Sequence, residues 1–101
     1  MELRSKLGDS LVMGENVGQA FTFIKTGNAA FGLVALSQVL SLPEAERGAY
    51  WLPPQGMYTP IRQDGVLLAR AADNEAATAF LAFLASAEAR QIIVTSGYDA
   101  P

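Results

Sequence analysis

Three side chains in this sequence are candidates for acid–base or nucleophilic chemistry: Glu15, Ser37 and Asp64. Glu15 precedes a predicted helix, where a carboxylate more often stabilises the helix dipole than acts as an acid or base. Ser37 would need a base to become a nucleophile, and the sequence contains no histidine. Asp64 precedes a glycine, which is equally typical of a turn. Glu44 and Glu46 occupy a charged turn and point in different directions, so we predict no catalytic residue.

The residue types that are missing narrow the chemistry further. The 101 residues include no cysteine and no histidine, which excludes thiol nucleophiles, imidazole bases and the usual zinc and iron–sulfur ligands. The glycines at positions 14 and 18 do not form a P-loop, because no Lys-Ser or Lys-Thr follows at the required spacing, and they do not match the dinucleotide-binding motif. We therefore expect no metal site and no cofactor.

The most informative stretch is residues 11–27, which has the pattern of a strand end, a tight turn and an amphipathic helix. Asn16 can cap that helix with Gln19 as its capping-box partner, and Gly27 can end it. The first backbone N–H groups of a helix lack acceptors within the helix and lie at the positive end of its dipole. The turn at residues 14–17 is therefore a candidate anion site, although a capped turn without a ligand has the same pattern.

The elements around this turn predict an α/β fold. Residues 10–13 and the apolar run 30–36 are predicted strands on either side of a helix over residues 16–26. Together they make a compact βαβ unit of the usual right-handed kind. Residues 49–52 and 66–69 are predicted as two further short strands.

A second turn strengthens the expectation of an anion site. Ser37 is the predicted N-cap of a short helix over residues 38–42. Both turns then follow the carboxyl ends of strands, which is where ligands bind in open α/β sheets. We therefore expect a shared anion site between residues 14–17 and residues 37–40.

The last third of the sequence predicts a pair of helices. Asp73 or Asn74 can cap the first helix, Ser86 can cap the second, and Gly97 can end it. The apolar residues expected on the inner faces are Ala76, Phe80, Phe83, Leu84, Ala89, Ile92 and Ile93.

Composition limits the partners of the chain. The net charge is −3, and the seven lysines and arginines are scattered from Arg4 to Arg90, which argues against nucleic acid. No apolar run approaches the ~20 residues of a membrane span. The polar N-terminus shows no signal peptide.

Seven short motifs follow one another over nearly the whole chain. They are Gly14-Glu-Asn-Val-Gly-Gln-Ala20, Lys25-Thr-Gly-Asn-Ala29, Gly32-Leu-Val-Ala-Leu-Ser-Gln38, Pro60-Ile-Arg-Gln-Asp64, Ala71-Ala-Asp-Asn74, Ala87-Glu-Ala-Arg90 and Ser96-Gly-Tyr-Asp99. In this order they resemble the molybdate-binding periplasmic proteins of ABC transporters. The likeness extends from about Lys6 to Pro101 and matches the C-terminal portion of such proteins.

The resemblance implies a type II periplasmic-binding-protein fold, with two α/β lobes joined by a hinge and an oxyanion in the cleft. The chain would then be a partial fold, consisting of one βαβ-based lobe and a C-terminal helical segment. Residues 1–60 would form most of the second ligand-binding lobe. Residues 61–101 would form the hinge-return strand and the C-terminal helices, which normally pack on the first lobe.

The resemblance also implies a ligand set of backbone N–H groups and neutral side chains. Some members have a tyrosine hydroxyl where this chain has Met13, which offers only its backbone amide. Others have a tyrosine hydroxyl near the position of Gln63, whose side-chain amide could donate instead. A further backbone N–H is implied near Val39 or Leu40. The implied ligand-binding residues are Met13, Gly14, Val17, Val39, Leu40 and Gln63.

The implied function is solute binding for molybdate or tungstate uptake, in the periplasm, with an ABC transporter permease as the partner of the full-length parent. Family members are over twice as long, so we expect a fragment that binds weakly or not at all alone. Its C-terminal helices would pack on its own sheet or exchange with a second copy. The alternatives are an anion-sensing effector domain of a regulator and a small α/β enzyme.

Overall fold

A computed structural model describes residues 2–100, and within them the backbone separates into two units. One unit runs up to Leu42 and the other runs from Pro43 onwards. Met1 and Pro101, the outer bounds of the two segments implied by the resemblance, lie outside the described residues. The helices are α1 (Glu2–Leu7), α2 (Val17–Lys25) and α3 (Leu36–Leu40) in the first unit, and α4 (Glu75–Leu84) and α5 (Ala87–Thr95) in the second. Single 3₁₀ turns occur at Gly8–Ser10, Glu44–Glu46, Gln55–Met57 and Ala69–Ala71.

The helix predicted over residues 16–26 is confirmed as α2. Asn16 has extended backbone angles and is its N-cap, and Gly27 follows its C-terminus with φ of 79°. The N–H of Gly27 donates to the carbonyl of Ile24 over 3.1 Å, which satisfies one of the last free carbonyls of the helix. The left-handed conformation at this position is one that glycine adopts without steric cost.

The pair of C-terminal helices is also confirmed. Asn74 is the N-cap of α4, because its side-chain oxygen accepts the N–H of Ala77 over 3.0 Å. Ser86 caps α5 in the same way by accepting the N–H of Ala89 over 3.1 Å. Gly97 ends α5 with φ of 90°. α4 and α5 lie in contact.

The prediction of strands is wrong for the described residues 2–100, and so is the βαβ unit built from those strands. Residues 10–13, 30–36, 49–52 and 66–69 contain no strand, and none occurs elsewhere in residues 2–100. Leu11, Ala35 and Leu68 nevertheless have extended backbone angles, for example φ of −74° and ψ of 134° at Ala35. The end residues Ser10, Leu36 and Ala69 lie in helical turns. A strand needs a partner for its N–H and C=O groups as well as extended angles. The described chain supplies no ladder for these segments.

The prediction that Ser37 caps a helix over residues 38–42 is also wrong. The helix begins two residues earlier, at Leu36 with Ala35 as its N-cap, so that Ser37 is the second residue of α3. The apolar run 30–36 is predicted as a strand throughout, but Leu36, its last residue, already belongs to α3. α3 ends at Leu40 because Pro43 disfavours helical geometry at the residue that precedes it.

The apolar faces of α4 and α5 are largely uncovered. Among the described residues, the buried hydrophobic side chains are Val39 in the first unit and Ala89 in the second. Phe80 is 61% exposed and Ile92 is 53% exposed. The expectation that these helices fold onto a sheet of this chain is therefore wrong, because the described residues contain no sheet to cover them.

None of the helices in residues 2–100 is by itself long and apolar enough to cross a membrane. α4 and α5 reach that length and apolarity only together, and they are bent by 62° at the break between them.

Candidate anion-binding site

The turn before α2 is held by two side chains of the first helical turn. The side-chain oxygen of Asn16 accepts the N–H of Gln19 over 2.9 Å. The side-chain oxygen of Gln19 reaches back and accepts the N–H of Glu15 over 2.6 Å. This is the reciprocal arrangement of a capping box, shifted by one residue, since the second bond goes to Glu15 and not to the N-cap itself.

Gly14 brings the turn close to the backbone of α2. A Cβ on Gly14 would lie 2.8 Å from the backbone nitrogen of Ala20 and 3.0 Å from the carbonyl oxygen of Asn16. Both are backbone atoms, so neither can move aside without displacing the helix. Glycine is therefore required at position 14 by the close approach of two backbone segments.

The turn leaves several backbone N–H groups without an acceptor. Within the part of the chain that the structure describes, Met13, Gly14, Val17 and Gly18 donate no hydrogen bond from their backbone nitrogens. Val17 and Gly18 are the first two residues of α2, so their N–H groups lie at the positive end of the helix dipole. The side chains of Met13 and Val17 are exposed, and no carboxylate bonds to the turn. This arrangement is suited to an anion bound by neutral donors.

Within the first unit, α3 lies close to the start of α2. The side-chain nitrogen of Gln38 lies 3.8 Å from the position that a Cβ on Gly18 would occupy. The sequence contains no local signal for this proximity, because residues 18 and 38 are twenty positions apart.

The implied ligands in α3 lie deeper in the helix than we expected. Because α3 begins at Leu36, Val39 and Leu40 are its last two residues. Val39 is buried, and its N–H donates to the carbonyl of Ala35 over 3.4 Å. A ligand contact at these two residues therefore stays a prediction.

Gln63 belongs to the second unit. It lies on an exposed stretch without regular secondary structure that runs from Thr59 to Leu68. Its contribution to a ligand site likewise stays a prediction.

The side chains considered for catalysis belong to separate elements. Glu15 is exposed beside the turn, Ser37 lies within α3, and Asp64 lies in the exposed stretch of the second unit. Across residues 2–100, no group of three or more acidic side chains is arranged to hold a metal ion.

Comparison with known proteins places the chain in a family. The profile of a family described as bacterial extracellular solute-binding protein matches residues 1–99. The chain belongs to this family of extracellular solute-binding proteins. Membership is consistent with a type II α/β fold for the whole domain, of which the described residues form only the helices and extended segments given above.

Two relatives in this solute-binding family are similar over almost the whole chain. The molybdate-binding protein ModA of Rhodobacter capsulatus is 44% identical over 104 residues, which cover 97% of this chain and 40% of the relative. The molybdate-binding protein ModA of Azotobacter vinelandii is 39% identical over 104 residues, covering 97% and 41% respectively. These relatives confirm the resemblance seen in the motifs, and they are named for binding and not for catalysis.

The chain spans about 40% of the length of the curated relatives it matches. No solved structure matches the chain significantly.

Proposed function

We propose that this chain is part of the solute-binding component of an ABC transporter that takes up molybdate or tungstate. It would act in the periplasm and deliver its ligand to a membrane permease. By the parent protein we mean the protein of the relatives' length to which we propose the chain belongs. The observation that carries the proposal is the similarity to two molybdate-binding proteins over 97% of the chain.

The turn before α2 supports a tetrahedral oxyanion as the ligand. Free N–H groups at Met13, Gly14, Val17 and Gly18 are neutral donors, which suit the oxygens of an anion that carries no protons to donate. The net charge of −3 and the scattered cations offer no basic cluster. Binding would therefore depend on oriented N–H groups and not on a counter-charge.

The unpaired extended segments support a fold that is completed within the parent protein. We propose that residues 10–13 and 30–36 join a sheet there, where their N–H and C=O groups find partners. In that arrangement residues 1–60 contribute most of one lobe. Residues 61–101 return to the other lobe, which covers the apolar faces of α4 and α5.

The isolated chain would have a different partner for these faces. We propose that a second copy of the chain covers them, by exchange of the C-terminal helices. The exposed Phe80 and Ile92 support this proposal, because burying a large apolar side chain stabilises by about 1.5–3 kcal/mol. The isolated chain would bind the anion weakly or not at all, since it carries only part of the cleft.

Thermal unfolding of the parent protein tests the proposed function. A ligand that binds only the folded state stabilises it by RT ln(1 + [L]/Kd), which is about 2.7 kcal/mol at 100 times Kd. We expect sodium molybdate or sodium tungstate to raise Tm, and sodium chloride at the same ionic strength to leave it unchanged. An unchanged Tm with both oxyanions would contradict the proposal.

A further inference from the structure

Asp64 and Gly65 are exposed and lie in the stretch from Thr59 to Leu68, which has no regular secondary structure. Among residues 2–100, the backbone N–H groups of this stretch donate no hydrogen bond. The carboxylate of Asp64 takes part in no hydrogen bond or ion pair with the described residues. Hydrogen bonds therefore fix neither this carboxylate nor the backbone N–H that follows it.

Asp64 is the one aspartate in the sequence that precedes a glycine. Because Gly65 has no Cβ, no side chain shields its nitrogen from the neighbouring carboxyl group. The fold itself does not require glycine at this position. The φ of Gly65 is not positive, and a Cβ there would lie 3.5 Å from Cδ1 of Leu81, which is an ordinary van der Waals distance.

An aspartate and the backbone nitrogen that follows it can react within the same chain, where the two groups are always close together. The nitrogen of Gly65 attacks Cγ of Asp64 and closes a five-membered succinimide ring. The nitrogen gives up its proton and the protonated carboxyl group gives up its hydroxyl, so one water molecule leaves. A second water molecule then opens the ring. When it breaks the bond between the nitrogen and the main-chain carbonyl of Asp64, the product is an isoaspartate, whose main chain continues through Cβ and Cγ.

Asp73 shows how the fold can withhold the same kind of nucleophile. Asp73 is also exposed, and the residue that follows it is Asn74, the N-cap of α4. The N–H of Asn74 donates to the carbonyl of Ala71 over 3.0 Å, so the nitrogen that would attack is held in a turn. Asp73 is therefore an internal reference for the reactivity of Asp64.

We propose that the bond between Asp64 and Gly65 is a site of spontaneous isoaspartate formation. This inference does not depend on the proposed function, and the reaction needs no reagent besides water. The product has one additional carbon atom in the main chain and carries its carboxylate directly on Cα. Val66 and Leu67 line one groove together with Phe80 of α4. The longer main chain would shift Val66 and Leu67 relative to that helix.

Ageing of the 101-residue chain tests the proposal. The protein is incubated at mildly acidic pH in oxygen-18 water, returned to ordinary water and digested with trypsin. Cleavage after the arginines separates peptide 63–70 from peptide 71–90, which contains Asp73. We expect peptide 63–70 to accumulate a chromatographically separate isoaspartyl form that carries oxygen-18, while Asp73 isomerises more slowly.

Gly65→Ala places a methyl group beside the attacking nitrogen, at a position where the fold has room for it. We expect this variant to lose most of the isoaspartate. Gly56→Ala is the matched control, because a Cβ there meets nothing within 4 Å and no aspartate precedes it. It should age like the unsubstituted chain. Unfolding in guanidinium chloride should raise the rate at Asp73 and leave the rate at Asp64 nearly unchanged, because a hydrogen bond holds the attacking nitrogen only at Asp73.

The absence of isoaspartate at Asp64 in the aged chain would overturn the proposal, and so would equal rates at Asp64 and Asp73 in the folded chain. Equal accumulation in Gly65→Ala and in the unsubstituted chain would overturn it by removing the role of Gly65. A large increase at Asp64 on unfolding would show that the fold protects this bond, which would also contradict the proposal.

Discussion

Gly14 is the residue at which the candidate site tolerates the least change. Its missing side chain lets the turn approach the backbone of α2 within the distances given above, and the atoms it approaches are held by the helix. The sequence predicts that Gly14 lies in a turn before a helix. It does not reveal why the residue at this position must be glycine. That reason is a contact with Ala20, six residues along the chain, and not a left-handed φ.

We predict that Gly14→Ala lowers both the stability and the affinity of the parent protein. The added Cβ would lie 2.8 Å from the backbone nitrogen of Ala20, so the first turn of α2 must shift. Overpacking of this kind costs about 1–3 kcal/mol, measurable as a lower free energy of unfolding in urea. Gly56→Ala is the control, because a Cβ there meets nothing within 4 Å. Equal effects of the two substitutions would show that Gly14 has no such role.

Asn16 allows the helix cap to be separated from the ligand site. Asn16→Ala removes the bond to Gln19 and should lower the free energy of unfolding by about 1 kcal/mol, and the molybdate affinity with it. Asn16→Asp keeps a capping oxygen but adds negative charge, so we expect near-normal stability with weaker molybdate binding. Asn74→Ala removes the equivalent cap of α4 and should lower stability alone. If Asn74→Ala weakened binding as much as Asn16→Ala, the turn before α2 would not be the ligand site.

At the scale of the elements, local signals were sufficient to predict α2, α4 and α5, but not the start of α3 and not the strands. The caps at Asn16, Asn74 and Ser86 are bonds between residues three apart, so the sequence contains both partners. A strand is stabilised by a partner that can be anywhere in the chain or outside it. The apolar run 30–36 therefore has the composition of a buried strand without a neighbour to pair with.

The candidate site shows the same division, because its local features were predictable and its contacts between distant residues were not. The turn at residues 14–17 follows from the cap and the glycine, both of which are local. The expected contacts at Val39 and Leu40 depended on where α3 begins, and its start at Leu36 moves them to the end of the helix. The proximity of Gln38 to Gly18 escaped prediction, because the two residues are distant in sequence and adjacent in space.

Hydrogen exchange tests whether the extended segments become strands in the parent protein. We predict slow exchange of the amides of residues 11–13 and 32–35 in the parent protein, because ladder hydrogen bonds protect them. In the isolated chain the same amides should exchange rapidly. The amides of residues 21–25 in α2 provide an internal reference for the folded helix. Rapid exchange of both segments in the parent protein would contradict a completed sheet.

At the scale of the whole molecule, the exposed apolar side chains of α4 and α5 determine how the isolated chain behaves. We predict that the 101-residue chain forms dimers as its concentration rises, measured by size-exclusion chromatography with light scattering. The parent protein should remain a monomer under the same conditions, because its own residues cover these faces. A monomeric isolated chain at all concentrations would contradict exchange of the helices.

The most direct test of the central claim is calorimetric titration of the parent protein with molybdate, tungstate and sulfate. The claim is that the chain carries part of an oxyanion site whose ligands are neutral N–H groups. It predicts saturable binding of molybdate or tungstate by the parent protein, and weak or no binding by the 101-residue chain. The absence of binding of all three anions to the parent protein would contradict the function. Sub-micromolar binding of molybdate to the isolated chain, on the order of −8 kcal/mol or tighter, would contradict the claim that its cleft is only partial.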